Sequence, residues 1–295
     1  MAPKFRTGVI AIVGRPNTGK STLLNQLVGA KISSVSRRPQ TTRHAIQGVV
    51  SENDAQLIFI DTPGFQTEHG GTLNRLLNRS VTNSLKNLDA IVLVVEAGRI
   101  TAQDRKVMSL LPASIPVVLA LNKIDRLPAR EALLPVIDKA SRLHAFAEIV
   151  PVSALKGSAI ADLVNAIKPY LPEGEARYSA DTLTDRSERF LAAQFIQETL
   201  FQALGEELPY STTVLIDRFE EAGSLRRIYA SIIVDKQNQK AIVIGAGGQR
   251  LKSIASKARR EMERLFGGKV YLEVWVRVKR GWADDLRFLH ALGYG

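Results

Sequence analysis

The chain has 295 residues, 45% apolar and 23% charged, values that exclude a disordered or fibrous protein. With no cysteine it has no disulfide framework, thiolate metal site or cysteine nucleophile, and it suits a reducing compartment. A formal net charge of +11 points to an anionic partner.

Residues 9–13, 57–60, 90–95, 116–121 and 148–152 are short apolar runs and read as buried strands. Residues 22–28, 72–86, 101–111, 130–143 and 159–170 lie between them and read as amphipathic helices. This alternation predicts an α/β domain, a mostly parallel sheet with helices on both faces. Residues 45–51 read as an added antiparallel edge strand. The pattern breaks at Pro169-Tyr170-Leu171-Pro172-Glu173-Gly174-Glu175, where proline, glycine and charge suggest a linker. The expected division is a first domain over 1–172, a linker over 173–183 and a second domain over 184–295. That second domain reads as a smaller α+β unit. It has a helix at 187–202, a hairpin from 212–219 and 226–235, a helical turn at 241–244, a long helix at 249–266 and a last strand at 269–278.

The positive charge is local. Residues 226–280 carry 14 Lys and Arg against 4 acids, whereas 181–225 and 281–295 together carry 4 Arg against 11 acids. A basic block of this kind is the footprint of a nucleic-acid binder. The apolar run Ile91-Val92-Leu93-Val94-Val95 is far too short to span a bilayer, and Met1 to Arg6 shows no signal-peptide pattern. A cytoplasmic location is expected.

Gly14-Arg15-Pro16-Asn17-Thr18-Gly19-Lys20-Ser21 follows a buried strand and opens a helix that begins with Thr22. In that context the pattern is a phosphate-binding loop. Its glycines turn backbone N–H groups around phosphate oxygens, and the helix N-terminus favours an anion. Lys20 supplies a point charge to the β and γ phosphates, and the Ser21 hydroxyl suits Mg2+. Asp61-Thr62-Pro63-Gly64 ends the strand at 57–60. There Asp61 can hold the metal, and Gly64 can bring its N–H to the γ phosphate. Asn122-Lys123-Ile124-Asp125 follows the strand at 116–121 and selects guanine. Asp125 can accept from N1–H and the exocyclic amine, Asn122 can bond the N7 edge, and the Lys123 stem can lie over the base. Ser153-Ala154-Leu155 can bring backbone to the guanine O6.

In order and spacing these motifs resemble the nucleotide-binding boxes of translation-factor-related small GTPases. The resemblance implies a switch threonine for Mg2+ and the γ phosphate between the first two boxes, and Thr42 is favoured over Thr41. Phe65 stands where related GTPases place a water-orienting glutamine, which implies slow intrinsic hydrolysis. Some relatives with an asparagine at the Asn17 position use K+ near the transferred phosphoryl, and the same is expected here.

In the second domain, Ile244-Gly245-Ala246-Gly247-Gly248 resembles the GXXG loop of type II KH domains, which passes the backbone of single-stranded RNA close to the protein. Arg250, Lys252 and Lys257 on the following helix extend the expected RNA surface. Across nearly its whole length the chain resembles the Era-type family, bacterial GTPases with a C-terminal KH domain. Pro39-Gln40-Thr41-Thr42-Arg43-His44 and Gly281-Trp282-Ala283-Asp284-Asp285 carry that resemblance with the loops above. It implies binding to the 3′ end of small-subunit ribosomal RNA, help in maturing the 30S subunit, and peripheral contact with the inner membrane; a monomer is expected. Thr18 replaces the usual valine, and Ala246 replaces a common lysine, which removes one charge from the RNA loop. One alternative is a constitutive RNA-binding adapter with a mainly structural nucleotide, which Phe65 supports; a second is a tRNA-modification or other ribosome-assembly GTPase, against which the single G domain and the KH-like loop argue.

Overall fold

The structure, a computed structural model, describes residues 4–35, 45–61, 72, 87–204 and 211–293. The elements form two compact units. Every described helix and strand up to Asp185 lies in the first, and every one from Arg186 onward lies in the second.

The first unit runs β1 (Arg6–Val13), α1 (Lys20–Val28), β2 (Ile46–Ser51), β3 (Ala55–Asp61), β4 (Ala90–Glu96), α2 (Ala102–Met108), β5 (Val117–Asn122), α3 (Leu133–Ser141), β6 (Glu148–Pro151) and α4 (Ile160–Ile167). The sheet order is β2-β3-β1-β4-β5-β6. Among the described strands of this sheet only β2 runs antiparallel, pairing with β3 so that Ile46 faces Asp61. This is the α/β sheet that the alternation of runs predicts. Its central strands carry continuous apolar runs at 9–13, 57–60 and 90–95 because both faces are covered. One face, with Val13, Leu93, Val95, Leu119 and Leu121, packs on Val107, Met108 and Ala140 from α2 and α3. On the other, α1 buries Leu23, Leu24 and Leu27. Gly48 lets α1 approach, since a Cβ there would stand 2.7 Å from Leu24 and Val28 side-chain atoms.

Three predicted helices are shorter than their apolar pattern, the 130–143 helix keeping α form over Leu133–Ser141. The 101–111 helix ends at Met108, and the following N–H groups close tighter turns onto Val107 and Met108. The 159–170 helix ends at Ile167 and gives way to a single 3-10 turn containing Pro169, which has no N–H to continue the ladder. The predicted helix at 72–86 lies outside the described residues, Thr72 excepted.

The stretch expected as a linker is hydrogen-bonded along the first unit. Gln56 accepts from the N–H of Arg177 and Tyr178 and donates to the Tyr178 carbonyl. The Val49 N–H donates to the Leu183 carbonyl, and the Thr184 hydroxyl donates to the Gln47 carbonyl.

The second unit runs α5 (Glu188–Ala203), β7 (Thr212–Ala222), β8 (Leu225–Val234), α6 (Gln237–Ile244), α7 (Gln249–Phe266), β9 (Lys269–Val278) and α8 (Leu286–Ala291). Its sheet order is β7-β8-β9, with the hairpin antiparallel and β8–β9 parallel. Both hairpin strands run further toward the turn than the sequence suggests. Ala222 pairs with Leu225 across Gly223, whose φ of +60° suits a residue without a side chain. The short helix α8 has no counterpart among the predicted elements. Asp285 caps it by accepting from the Phe288 N–H.

Trp282 is the largest fully buried side chain of this unit. It packs with Ile233 and Leu289, and its Nε1–H donates to the Ser211 carbonyl at 3.0 Å. Replacing it with alanine removes that packing and the indole donor. The Trp282→Ala variant is expected to lose about 3–5 kcal/mol of stability, read as a lowered chemical-denaturation midpoint. A loss below about 1 kcal/mol would contradict the packing role.

Candidate functional site

Sheet register decides where the site lies. Ile12 is level with Asp61, Val13 with Leu93, and Glu96 with Asn122. The carboxyl ends of β1, β3, β4 and β5 therefore release their loops side by side, the usual place for a ligand in an open α/β sheet.

The loop after β1 is shaped by close contact. A Cβ on Gly14 would lie 2.5 Å from the Val94 carbonyl oxygen, and one on Gly19 would lie 2.3 Å from Asn122 Nδ2. Both glycines also have positive φ, +152° and +100°. Asn17, exposed at the tip, takes φ +63°, which asparagine tolerates. Thr18 is buried, and its hydroxyl donates to the Arg15 carbonyl at 3.1 Å, so the replacement of valine leaves no orphaned polar group. Pro16 is partly buried at the bend, and Thr22 is partly buried in the first turn of α1.

Lys20 opens α1 and is buried. Its ammonium donates to the carbonyls of Gly14 and Arg15 at 3.0 and 2.9 Å. Burial pulls its pKa from 10.5 to about 8; Asp61 opposes this and Arg15 assists it. Asp61 is fully buried at the end of β3. Its Oδ2 accepts from the Ser21 hydroxyl at 2.6 Å and the Ser33 hydroxyl at 2.9 Å. Burial pushes its carboxyl up against the pull of Lys20, Ser21 and Ser33. Its Oδ1 is buried with no hydrogen-bond partner among the described residues. A buried, unsatisfied carboxylate oxygen beside a serine hydroxyl is a donor set that fits a hard divalent cation.

The pKa of Lys20 has a consequence for affinity. Phosphate oxygens favour the charged ammonium, so nucleotide binding above about pH 8 takes up a proton. GDP affinity is expected to be flat below that pH and to weaken by up to ~tenfold per pH unit above it. Titration calorimetry at pH 9 in buffers of different ionisation enthalpy should show uptake approaching one proton; no uptake would contradict it. The nucleotide-free fold is expected to follow the opposite trend through this group. The unfolded lysine binds more protons between about 8 and 10.5, so folding stability rises with pH in that window.

Asn122 is buried and joins three loops. Its Nδ2 donates to the Thr18 carbonyl at 2.8 Å, and its Oδ1 accepts from the N–H groups of Lys123 and Ala154 at 2.8 and 2.9 Å. The side chain read from sequence as a base ligand thus also ties the phosphate loop to both guanine loops. Lys123, at φ +68°, reaches back to the Asn17 carbonyl at 2.7 Å. Asp125 is exposed, and its Oδ1 accepts from the Ser153 hydroxyl. Ala154 is buried, whereas Leu155 is 69% exposed. Thr41, Thr42, Thr62, Pro63, Gly64 and Phe65 lie outside the described residues.

Sequence reading missed Ser33 and Asn25. The Asn25 carboxamide accepts from the N–H groups of Ile32 and Ser33 and donates to the Ser33 carbonyl, and this presents the Ser33 hydroxyl to Asp61. An amide between the buried Leu24 and Leu27 of α1 is the signal that was there to read.

In the second unit, Gly245, Gly247 and Gly248 take φ of +73°, +55° and +76° between α6 and α7. A Cβ on Gly245 would meet Arg250 Cβ at 2.7 Å. Ile244 is partly buried at the end of α6, and Ala246 is exposed. Arg250, Lys252 and Lys257 are exposed on α7, which buries Ile254, Ala258 and Met262 on its other side.

The family model described as 50S ribosome-binding GTPase matches residues 9–123, and the KH domain model matches 207–283. GTPase Era of Nitrosomonas eutropha is 52% identical over 99% of both chains. The chain belongs to the Era family of GTPases. GTPase Era of Chromobacterium violaceum is 51% identical over 98% of each chain. A variant of Aquifex aeolicus Era bound to GDP.AlF4- matches with a TM-score of 0.94 at 38% identity, over 99% of this chain and 100% of that one. An Era structure in complex with MgGDPNP and nucleotides 1506–1542 of 16S ribosomal RNA matches with a TM-score of 0.93 at 38% identity, over 99% of each chain. As an Era-family member the chain binds and hydrolyses GTP. Its P-loop GTPase domain followed by a KH domain is the architecture expected from the sequence.

Proposed function

We propose that this Era-family GTPase binds the 3′ end of small-subunit (16S) ribosomal RNA through its KH unit and assists maturation of the 30S subunit. The observation that carries the reading is the likeness, over 99% of this chain, to an Era structure holding nucleotides 1506–1542 of that RNA. The Gly245–Gly248 turn, exposed at Ala246 and Gly247, and the basic face of α7 support it. Glycines let a phosphate backbone approach, and Arg250, Lys252 and Lys257 supply charge. In-cell crosslinking followed by sequencing of bound RNA tests this. Recovery of mainly messenger or transfer RNA would sink it.

In the G unit, Gly14–Thr22 hold the phosphates. The Lys20 ammonium exchanges carbonyl oxygens for β and γ phosphate oxygens, which places fixed charge where charge develops. Ser21 and Asp61, with Thr42, would hold Mg2+, which when bound neutralises phosphoryl charge. Gly64, last of the Asp61-Thr62-Pro63-Gly64 motif, would bring its N–H to the γ phosphate. Asp125 selects guanine, Asn122 and Lys123 hold the base loop, and Ser153, Ala154 and Leu155 close it. Asn17 assists a K+ ion, and replacing K+ with Na+ slows hydrolysis; an unchanged rate refutes that role. The low intrinsic rate follows from Phe65.

Nucleotide state sets RNA affinity in this reading, with a GTP-binding domain over 1–172, an RNA-binding domain over 184–295, and the stretch 173–183 between them held along the first unit. Equal RNA affinity with a GTP analogue and with GDP would instead favour a constitutive adapter. The protein is a cytoplasmic monomer that also touches the inner membrane face. Its charge of +11 supports peripheral contact with an anionic surface. Flotation with anionic vesicles and sedimentation equilibrium check these two points.

A further inference from the structure

We propose that Glu96, at the carboxyl end of β4, is a positioning residue for nucleotide binding, one carboxylate that fastens the phosphate loop to the guanine loop. The inference rests on the reading of those two loops as the nucleotide site. Glu96 Oε2 lies 3.1 Å from the Lys123 ammonium and 3.3 Å from the Arg15 guanidinium. Its Oε1 lies 3.5 Å from Arg126. Lys123 belongs to the guanine loop and Arg15 to the phosphate loop, so cations from both loops converge on one oxygen.

Each cation has a second anchor that gives the convergence direction. Lys123 also donates to the Asn17 carbonyl at 2.7 Å, so its ammonium bridges Glu96 and the tip of the phosphate loop. Arg15 Nε donates to Asp104 at 3.1 and 3.2 Å. Asp104 is itself buried and fixed by the Thr101 N–H and hydroxyl at 2.7 and 2.6 Å. A continuous line of charge-assisted bonds therefore runs from α2 through Arg15 and Glu96 to Lys123 and the Asn17 carbonyl. Burial raises the Glu96 carboxyl, but Lys123 and Arg15 outweigh it and hold the group below the ordinary carboxylate range, so it is charged at neutral pH.

Without that charge, Lys123 and Arg15 face each other as like charges, and the ammonium loses one of its two fixed points. Lys123 sits at a left-handed φ of +68° between Asn122 and Asp125, so its side-chain anchors lie next to the base-selecting carboxylate. The group lines an open cleft of about 700 Å3 with Arg15, Arg99, Thr101, Lys123 and Arg126. Partly exposed ion pairs add little to folding stability. Their effect should therefore appear in nucleotide residence rather than in melting.

The test follows release of a fluorescent GDP from the full chain. Glu96→Gln keeps the volume and removes the charge. It is expected to speed release ~10-fold or more, equivalent to about 1.4 kcal/mol, with an unchanged circular dichroism spectrum and melting temperature. Lys123→Met should speed release too, and the double variant should be no faster than Lys123→Met alone, because both act through one link. Arg142→Gln, which removes an exposed charge paired with Asp138 away from both loops, should release at the wild-type rate. An unchanged rate in Glu96→Gln, additive effects in the double variant, or equal acceleration in Arg142→Gln would each overturn the proposal. Asp125→Asn serves as the separate control. If it too leaves GDP release unchanged, the reading of the nucleotide site fails, whereas failure of Glu96→Gln alone defeats only this inference.

Discussion

Asp125→Asn lowers GDP affinity ~10⁴-fold and raises affinity for xanthosine diphosphate. The direction follows from one hydrogen bond. Asp125 Oδ1 accepts from the Ser153 hydroxyl, and its other oxygen is left for the base. In the variant the Ser153 proton fixes the carboxamide oxygen, which turns the –NH2 group toward the ligand. Guanine presents N1–H and an amine there, so donor meets donor, and both sides are desolvated without a bond. Xanthine carries a carbonyl where guanine has the amine, and it accepts from the new donor. Calorimetric dissociation constants for the two diphosphates check the result. GDP binding within tenfold of the wild type would remove Asp125 from base recognition.

Lys20→Met is expected to cut the rate of GTP hydrolysis at saturating nucleotide by ~10²–10³. Methionine keeps most of the stem in its buried position but removes the charge. The carbonyls of Gly14 and Arg15 then lose a donor, and the γ phosphate loses a fixed cation. Because Lys20 also counters the burial of Asp61, the variant should raise the Asp61 carboxyl further. Single-turnover hydrolysis separates this effect from weaker binding. A rate within threefold of wild type would mean that the buried ammonium has no part in the chemistry.

The parts of the site legible in sequence are those set by local backbone geometry. Gly14 and Gly19 are needed because carbonyl and amide atoms stand within 2.5 Å of where a Cβ would be, and such constraints leave a short, spaced pattern. Asp61 was legible because it ends a buried strand. The less legible parts depend on partners far apart in the chain. Arg15 and Glu96 are separated by 81 residues, and Ser33 reaches Asp61 across 28. Nothing local to a glutamate at a strand end distinguishes it from a solvated one. Asn122 shows a further limit, since its type and position pointed to the base while its side chain is engaged with the neighbouring loops. In the fold, the sheet, the long basic helix and the KH-like order were readable from period and charge. Helix α8, six residues with its cap at Asp285, was too short to show a period.

The segment after Leu171 bears on how the G unit behaves in isolation. Strand β2 ends the sheet, and an uncovered end strand offers its amides and carbonyls to any passing chain. Here the Leu183 carbonyl, the Thr184 hydroxyl and the Tyr178 side chain occupy that margin at Val49 and Gln47. A fragment cut after residue 172 would bare this margin and the buried Gln56 amide together, and it would self-associate through strand pairing. One cut after Asp185 keeps its own seal and stays dispersed, so the stretch that reads as a tether in sequence serves as the hem of the first unit.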